Sequence, residues 1–167
     1  MQNILFGAGE LFVFDEQNSN YKSLGKLNKA TLEINKEIKQ RVGDNKILPP
    51  REIIKEIIFS ANLYEINIEN IALLSPNCNK IEGENKQELI YSNLRNIFKF
   101  NKFKFENIGN DGRKFGFEIF SGYNKASIKT EFKEDSSKDE VVNIPIEIVA
   151  YKDNNENLIK IFDEVHK

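Results

Sequence analysis

"EIIFSANLYEINIENIALLSP", residues 56–76, is the most apolar stretch of the chain, and it contains no His, Cys, Asp or Gly. Its first half, taken with the residues just before it, reads two ways. Ile53, Ile54, Ile57, Ile58 and Ala61 are spaced for one face of a helix, with Pro50 suitably near its start. Four isoleucines and a phenylalanine within seven residues favour a strand instead, through β-branched stiffness. In that strand Ile53, Ile57, Phe59, Ala61 and Leu63 share a face that only Lys55 interrupts. Pattern alone leaves both open. The second half is plainer: "NIENIALLSP" (67–76) predicts a short helix capped by Asn67, with Ile68, Ile71 and Leu74 inward and Ser75-Pro76 ending it.

Upstream lies the clearest alternation, "ATLEINKEIKQRV" (30–42). Leu32, Ile34, Ile38 and Val42 point one way, and Thr31, Glu33, Asn35, Glu37, Lys39 and Arg41 the other, which predicts a long strand with one wet face. Before it, "ILFGAGELFVFDE" (4–16) alternates loosely and predicts a strand at 10–15 buried on both sides. Gly7 and Gly9 there permit tight turns or close approach by another chain. Between these runs and the apolar stretch, "GDNKILPPRE" (43–52) predicts a long irregular loop, because Gly-Asp-Asn favours a turn and the Pro pair bars helix before residue 50. A loop of that length in a small domain is usually mobile or used for contact.

Downstream, Leu89, Leu94 and Ile97 or Phe98 recur at helical spacing, so a helix is expected over 84–97. "FKFNKFKF" (98–105) alternates, slips phase at Asn101-Lys102 and alternates again, as a bulged strand does. Asp111-Gly112 between two aromatic-rich runs is a hairpin signal. Another strand is expected near 126–132, then the polar loop "KEDSSKDE", then a strand in which Ile144, Ile146, Ile148 and Ala150 alternate with other residues. Pro145 places that strand at an edge or a bulge. The tail, 157–165, is expected to dock as a helical turn. Six to eight strands with one or two short helices predict a mainly β domain over 1–167, a sandwich or half-open barrel with one flanking α-helix.

Composition limits function. With 24 Lys and Arg against 26 Asp and Glu, the formal charge is -2, so the chain lacks the basic excess of a protein built to grip nucleic acid. A lone cysteine, Cys78, rules out an intramolecular disulfide framework and is expected to be a small buried or incidental thiol. "MQNILFGAGE" lacks a basic leader and a long apolar core, so no secretion signal is expected, and no run of about 18 apolar residues predicts a membrane span. The only histidine, His166, is penultimate, a poor place for a catalytic base. "FGAGE" lacks the third glycine of a dinucleotide motif and the Lys-Ser/Thr of a phosphate loop, and "EDSSKDE" lacks the spacing of a calcium loop. No catalytic, cofactor or metal site is expected. "FKFNKFKF" interleaves bases with aromatics as a stacking platform for single strands does, but core phenylalanines with a solvated lysine face explain it better in a chain that is not basic.

"ILFGAGELFVFD", "LGKLNKATLEINKE", the apolar stretch through "IENIALL", and the late "IEIVAYKD" together resemble the tail tube proteins of bacteriophages and of phage-like particles such as tailocins. The resemblance spans most of the chain, is weakest at 77–97, and rests on the order and texture of segments. It implies a β-sandwich or barrel-like subunit with one flanking helix that assembles with itself into hexameric rings stacked as a hollow tube, alongside sheath, baseplate or terminator proteins. DNA at most passes through the lumen non-specifically, and the chain itself does not enter a membrane. It implies the tail of a virion or phage-like particle as location, after synthesis in the bacterial cytoplasm. It also implies that 53–64 is a strand turning into the flanking helix. The loop after the first long strand then reaches a neighbouring ring through Gly43, Asp44, Asn45, Lys46, Pro49, Pro50 and Arg51. On the wet face of the long strand, Glu33, Asn35, Glu37 and Lys39 are expected to line the bore. A β-barrel module binding a small ligand or carbohydrate is the alternative, and a cryptic hydrolase a third.

Overall fold

The computed structural model describes residues 2–43, 46–64, 67–75, 78–92, 100–109, 112–127 and 144–164. Asp44, Asn45, Asp111, His166, residues 93–99, the expected strand from 128 onward and the loop at 133–140 lie outside them.

Three strands come first: β1 (Gln2–Asp15), β2 (Asn20–Gly43) and β3 (Lys46–Leu63). The apolar stretch from 53 is therefore strand as far as Leu63. Its helical alternative loses because ladder partners flank it on both sides: Phe59 pairs with Leu32 of β2 and with Ile148 of β8 (Ile144–Tyr151), and Leu63 pairs with Leu27 and Ile144. Ile57, Phe59, Ala61 and Leu63 are buried together as the strand pattern requires. Ile53 is not with them. Asn35 pairs with Glu56 and Lys36 with Ile54, so Lys55 is an extra residue that reverses the alternation and carries Ile53 to the opposite face.

The expected loop at 43–52 is also corrected. Gly43 pairs with Lys46, Val42 with Ile47, and Lys39 with Arg51, so 46–52 belongs to β3 and only residues 44 and 45 separate the strands. Prolines are tolerated at 49 and 50 because the ladder slips there and β3 has a neighbour on one side only among the described residues.

Beyond β3 the chain enters α1 (Ile68–Leu74), capped by the Asn67 side chain, which accepts from Asn70 N at 2.7 Å. Polar residues decide how this helix seats. Asn70 and Leu74 are buried, whereas Ile68 and Ile71 are half-buried. Asn70 Nδ2 donates to Leu24 O at 2.6 Å, and the amides of Asn101 and Asn124 donate to Leu73 O and Leu74 O, each at 3.2 Å. The Leu73 and Leu74 carbonyls sit where a helix end leaves acceptors unpaired.

The helix expected over 84–97 is replaced, as far as 92, by a hairpin of β4 (Cys78–Glu82) and β5 (Gln87–Tyr91), because β4 supplies a ladder that Leu89 joins opposite Lys80. Cys78 is buried there, as expected. β6 (Asn101–Ile108) turns at Gly112 (φ +79) into β7 (Lys114–Asn124), and their ladder shifts register between Asn101 and Phe103; the extra residue lies on β7, between Ile119 and Gly122, and not on β6 as expected. The tail is not a helical turn but β9 (Ile159–Glu164), laid along β7. In β8, Ile144, Ile146, Ile148 and Ala150 are buried, and exposed Pro145 pairs only with Asn62 among the described residues.

The neighbours run β6-β1-β2-β3-β8-β7, and β6 also pairs with β7, so six antiparallel strands close a barrel to which β9 adds. The domain is mainly β with one helix on its flank, as expected, but its body is closed. The interior is solid. Phe59 lies 4.9 Å from Phe117 and 5.5 Å from Phe105 between ring centroids, and these rings and Phe103 are fully buried. Each contributes about 1.5–3 kcal/mol by leaving water.

Candidate functional site: a projecting hairpin arm

β2 and β3 outrun the barrel. β1 stops accompanying β2 at the Gln2–Ile34 pair, and β8 stops accompanying β3 at Ile58–Val149. From Lys36–Ile54 to Gly43–Lys46 the two strands pair only with each other among the described residues. Eight residues of strand reach about 26 Å. Among the described residues, both edges of this ribbon offer unpaired backbone groups, and so does the flank of β1 over 2–9, since β6 joins β1 there only at Glu10–Val13.

The core-facing side of β2 continues into the arm without cover. Leu32 is buried, while Ile38 is 69% exposed and Val42 88%. Opposite Val42 stands Ile47, 91% exposed, and Ile54 and Leu48 are exposed as well. Ile38 and Val42 were expected to share the inward face of Leu32 and Ile34, and they do share its direction. Pattern could not show that no described strand flanks this part of β2 besides β3. Ion pairs tie the ribbon across its strands, Lys36 to Glu52 at 2.8 Å and Lys55 to Glu37 at 3.2 Å.

Of the residues expected at an inter-ring contact, Gly43, Lys46, Pro49, Pro50 and Arg51 lie in this arm, and Asp44 and Asn45 lie outside the described residues. Glu33, Asn35, Glu37 and Lys39 share the face of β2 opposite Leu32 and Ile34; the first three are half-buried and Lys39 is exposed.

Elsewhere, a cleft of about 640 Å³ lies between α1, the β1–β2 turn and β4, lined by Asp15, Lys22, Glu69, Ser75 and Lys80 among others. Its charges answer one another. Glu69 is held below the usual carboxylate range by hydrogen bonds from Lys22 and then Lys80, and Lys80 also reaches Glu82. Among the described residues, no three His, Cys, Asp or Glu side chains converge as a metal site requires. No helix among them is long and apolar enough to cross a membrane.

The lysine-aromatic run forms part of the outer barrel wall. Phe103 and Phe105 face the core, while Lys104 Nζ lies 4.5 Å from the Tyr21 ring centroid and 4.9 Å from that of Phe12. Lys102 Nζ lies 5.5 Å from the Phe14 centroid. These lysines are only part exposed and cover aromatics, rather than forming a simple solvated face. Beneath them the Tyr21 hydroxyl is buried without a hydrogen-bond partner among the described residues, and burial, then the charge of Glu118, pushes it up to about 12. The folded chain thus prefers neutral tyrosine, so this contribution is complete below pH 10 and is lost as pH rises from about 10 to about 12. Tyr21→Phe is expected to be neutral, or stabilising by up to about 1 kcal/mol, at pH 8. It should also resist urea better than the parent at pH 11. Equal urea midpoints for the two chains at pH 11 contradict the assignment.

No protein-family model matches the chain, and a search of curated proteins gives no match either.

Proposed function

We propose that the chain is a structural subunit of a phage or phage-like tail tube, whose copies close hexameric rings that stack into a hollow tube without a catalytic step. The observation that carries this is the arm, a basic, apolar-tipped ribbon with open ladder edges projecting from a closed, fully packed barrel. A two-stranded ribbon is marginal in water by itself and gains stability from a partner. Among the described residues, one copy offers an unpaired flank of β1 and an unpaired flank of β3, two different surfaces whose pairing between copies is head-to-tail. Such contacts close rings or run on as filaments. The Glu33, Asn35, Glu37 and Lys39 face then lines the bore, and its mixed charge holds passing DNA weakly. Sheath, baseplate and terminator proteins are the remaining partners, and the tail is the location. A ligand-binding barrel needs an open interior; here Phe59, Phe103, Phe105 and Phe117 fill it.

Negative-stain electron microscopy of the concentrated protein, alone and with the other components of its source particle, tests the proposal. Rings or tubes with a central hole are expected. Monomers under every one of these conditions overturn it.

A further inference from the structure

Net charge hides where the cations stand. Residues 36–55 hold six Lys and Arg against three Asp and Glu, a net +3, while the rest holds 18 against 23, a net -5. Among the described residues, nine cations of the body lie against carboxylates, Lys104 against Glu106 at 2.8 Å and Lys125 against Glu147 at 2.9 Å among them. In the arm, Lys36 and Lys55 answer Glu52 and Glu37 in the same way. Lys39, Arg41, Lys46 and Arg51 have no ion-pair partner among the described residues, and all four are exposed.

Strand register puts these four on one face. Lys39 stands directly opposite Arg51, Arg41 opposite Leu48, and Gly43 opposite Lys46. Alternation along β2 carries Ile38 and Val42 to the other face, together with Ile47 across from Val42. The ribbon is therefore two-sided, apolar on one face and basic on the other. Its cations follow one another at about 6.8 Å, two residues of strand. Like charges directly opposite, as Lys39 and Arg51 are, cost stability until an anion lies across them.

What the basic face lacks narrows the partner. A membrane surface takes apolar and cationic groups from one side, whereas Ile38, Val42 and Ile47 point away from these cations. Single-stranded nucleic acid is held by stacking on rings, and residues 36–55 contain no aromatic residue. In the body of a second copy, eight carboxylates are already held by its own cations. The major groove of B-form DNA, about 12 Å wide, admits a two-stranded β-ribbon, and the deep, narrow groove of duplex RNA does not.

We propose that the arm binds double-stranded DNA through its phosphate backbone, with the Lys39, Arg41, Lys46 and Arg51 face set along the major groove and no sequence read. This goes beyond the tube proposed above, because it requires neither rings nor a bore. Glu33, Asn35 and Glu37 continue the same face of β2 toward the barrel, so the projecting end attracts DNA and the base of the arm does not.

Fluorescence anisotropy of a labelled duplex of about 20 base pairs, roughly two turns, tests this at protein concentrations that keep the chain monomeric. Four phosphate contacts at about 0.9 each predict a slope of about -3.6 in log affinity against log salt, so each doubling of salt above about 50 mM costs about twelvefold. Arg41→Gln with Lys46→Gln is expected to weaken binding about tenfold or more and to halve that slope. Lys26→Gln with Lys29→Gln removes two exposed barrel cations, also unpaired among the described residues, and should leave affinity within about threefold. Thermal melting confirms that both variants fold. No binding at about 50 mM salt overturns the proposal, and so does a barrel variant that loses as much as the arm variant. Equal affinity for the single strand overturns it as well, as does binding of phosphatidylserine vesicles by a chain that ignores DNA. Tubes without DNA binding leave the assembly reading standing and sink this one; DNA binding by a chain that never assembles does the reverse.

Discussion

Gly116→Ala is expected to lower the stability of the folded chain by about 3 kcal/mol or more, a large share of the roughly 5–15 kcal/mol that holds a domain together. A Cβ on Gly116 falls 2.0 Å from the carbonyl oxygen of Phe105 and 2.8 Å from Phe162 Cζ. Crowding costs about 1–3 kcal/mol when side chains can turn away. Here the nearest atom is backbone. Phe105 is fixed on both sides, paired with Phe117 on β7 and with Leu11 on β1, and a Cβ on Gly9 would itself lie 2.4 Å from the Phe105 ring. Accommodating one methyl group therefore parts the β6–β7 seam that closes the barrel, or displaces β9. Gly112→Ala separates this from mere loss of glycine. Gly112 has φ +79 and nothing within 4 Å of an added Cβ, so that change carries only the left-handed strain of about 1–2 kcal/mol. Urea unfolding of both variants decides the matter. If Gly116→Ala costs no more than Gly112→Ala, the close approach of β6 and β7 is not what Gly116 serves.

Where local chemistry determines local structure, the fold was legible in the sequence. The Asn67 cap and the Asp111-Gly112 turn signal each act within a few residues, and helix and hairpin follow. The phase slip at Asn101-Lys102 marks a register shift, but the extra residue is on the partner strand β7. The even-odd pattern at 30–42 likewise separated Leu32 and Ile34 from Glu33 and Asn35. Misreadings arose where a distant strand decides. Pro49-Pro50 signals irregular chain, yet the long period-two run of β2 templates β3 through it. The tail and 87–91 are too short for pattern to settle, and β7 and β4 supplied the ladders that made them strands. Lys55 was visible as the polar break in the Ile53–Leu63 face. Its meaning as a bulge required knowing which residue of β2 lay opposite. Ile38 and Val42 are exposed because no described strand lies over that face of the arm, and no residue in 30–42 encodes that.

Shortening the arm, by joining Asn35 to Glu56 through Asn-Gly, is expected to abolish assembly and to leave the melting temperature of the monomer within a few degrees. Asn35 and Glu56 are already cross-strand partners, and a two-residue Asn-Gly turn suits such a pair. The barrel has little to lose, because none of its fully buried side chains comes from 36–55. Assembly has much to lose: two open edges, the exposed Ile38, Val42 and Ile47, and three net positive charges, which takes the formal charge from -2 to -5. Val42→Ser with Ile47→Ser separates these causes by removing apolar surface at constant charge. Burial of two such side chains against a partner is worth about 3 kcal/mol, so this milder change should raise the assembly threshold on the order of a hundredfold without abolishing assembly. Light scattering against concentration measures both variants. A shortened chain that assembles at the parent's threshold removes the arm from any role between copies. One that no longer folds shows that the ribbon supports the barrel, contrary to the exposure of its side chains.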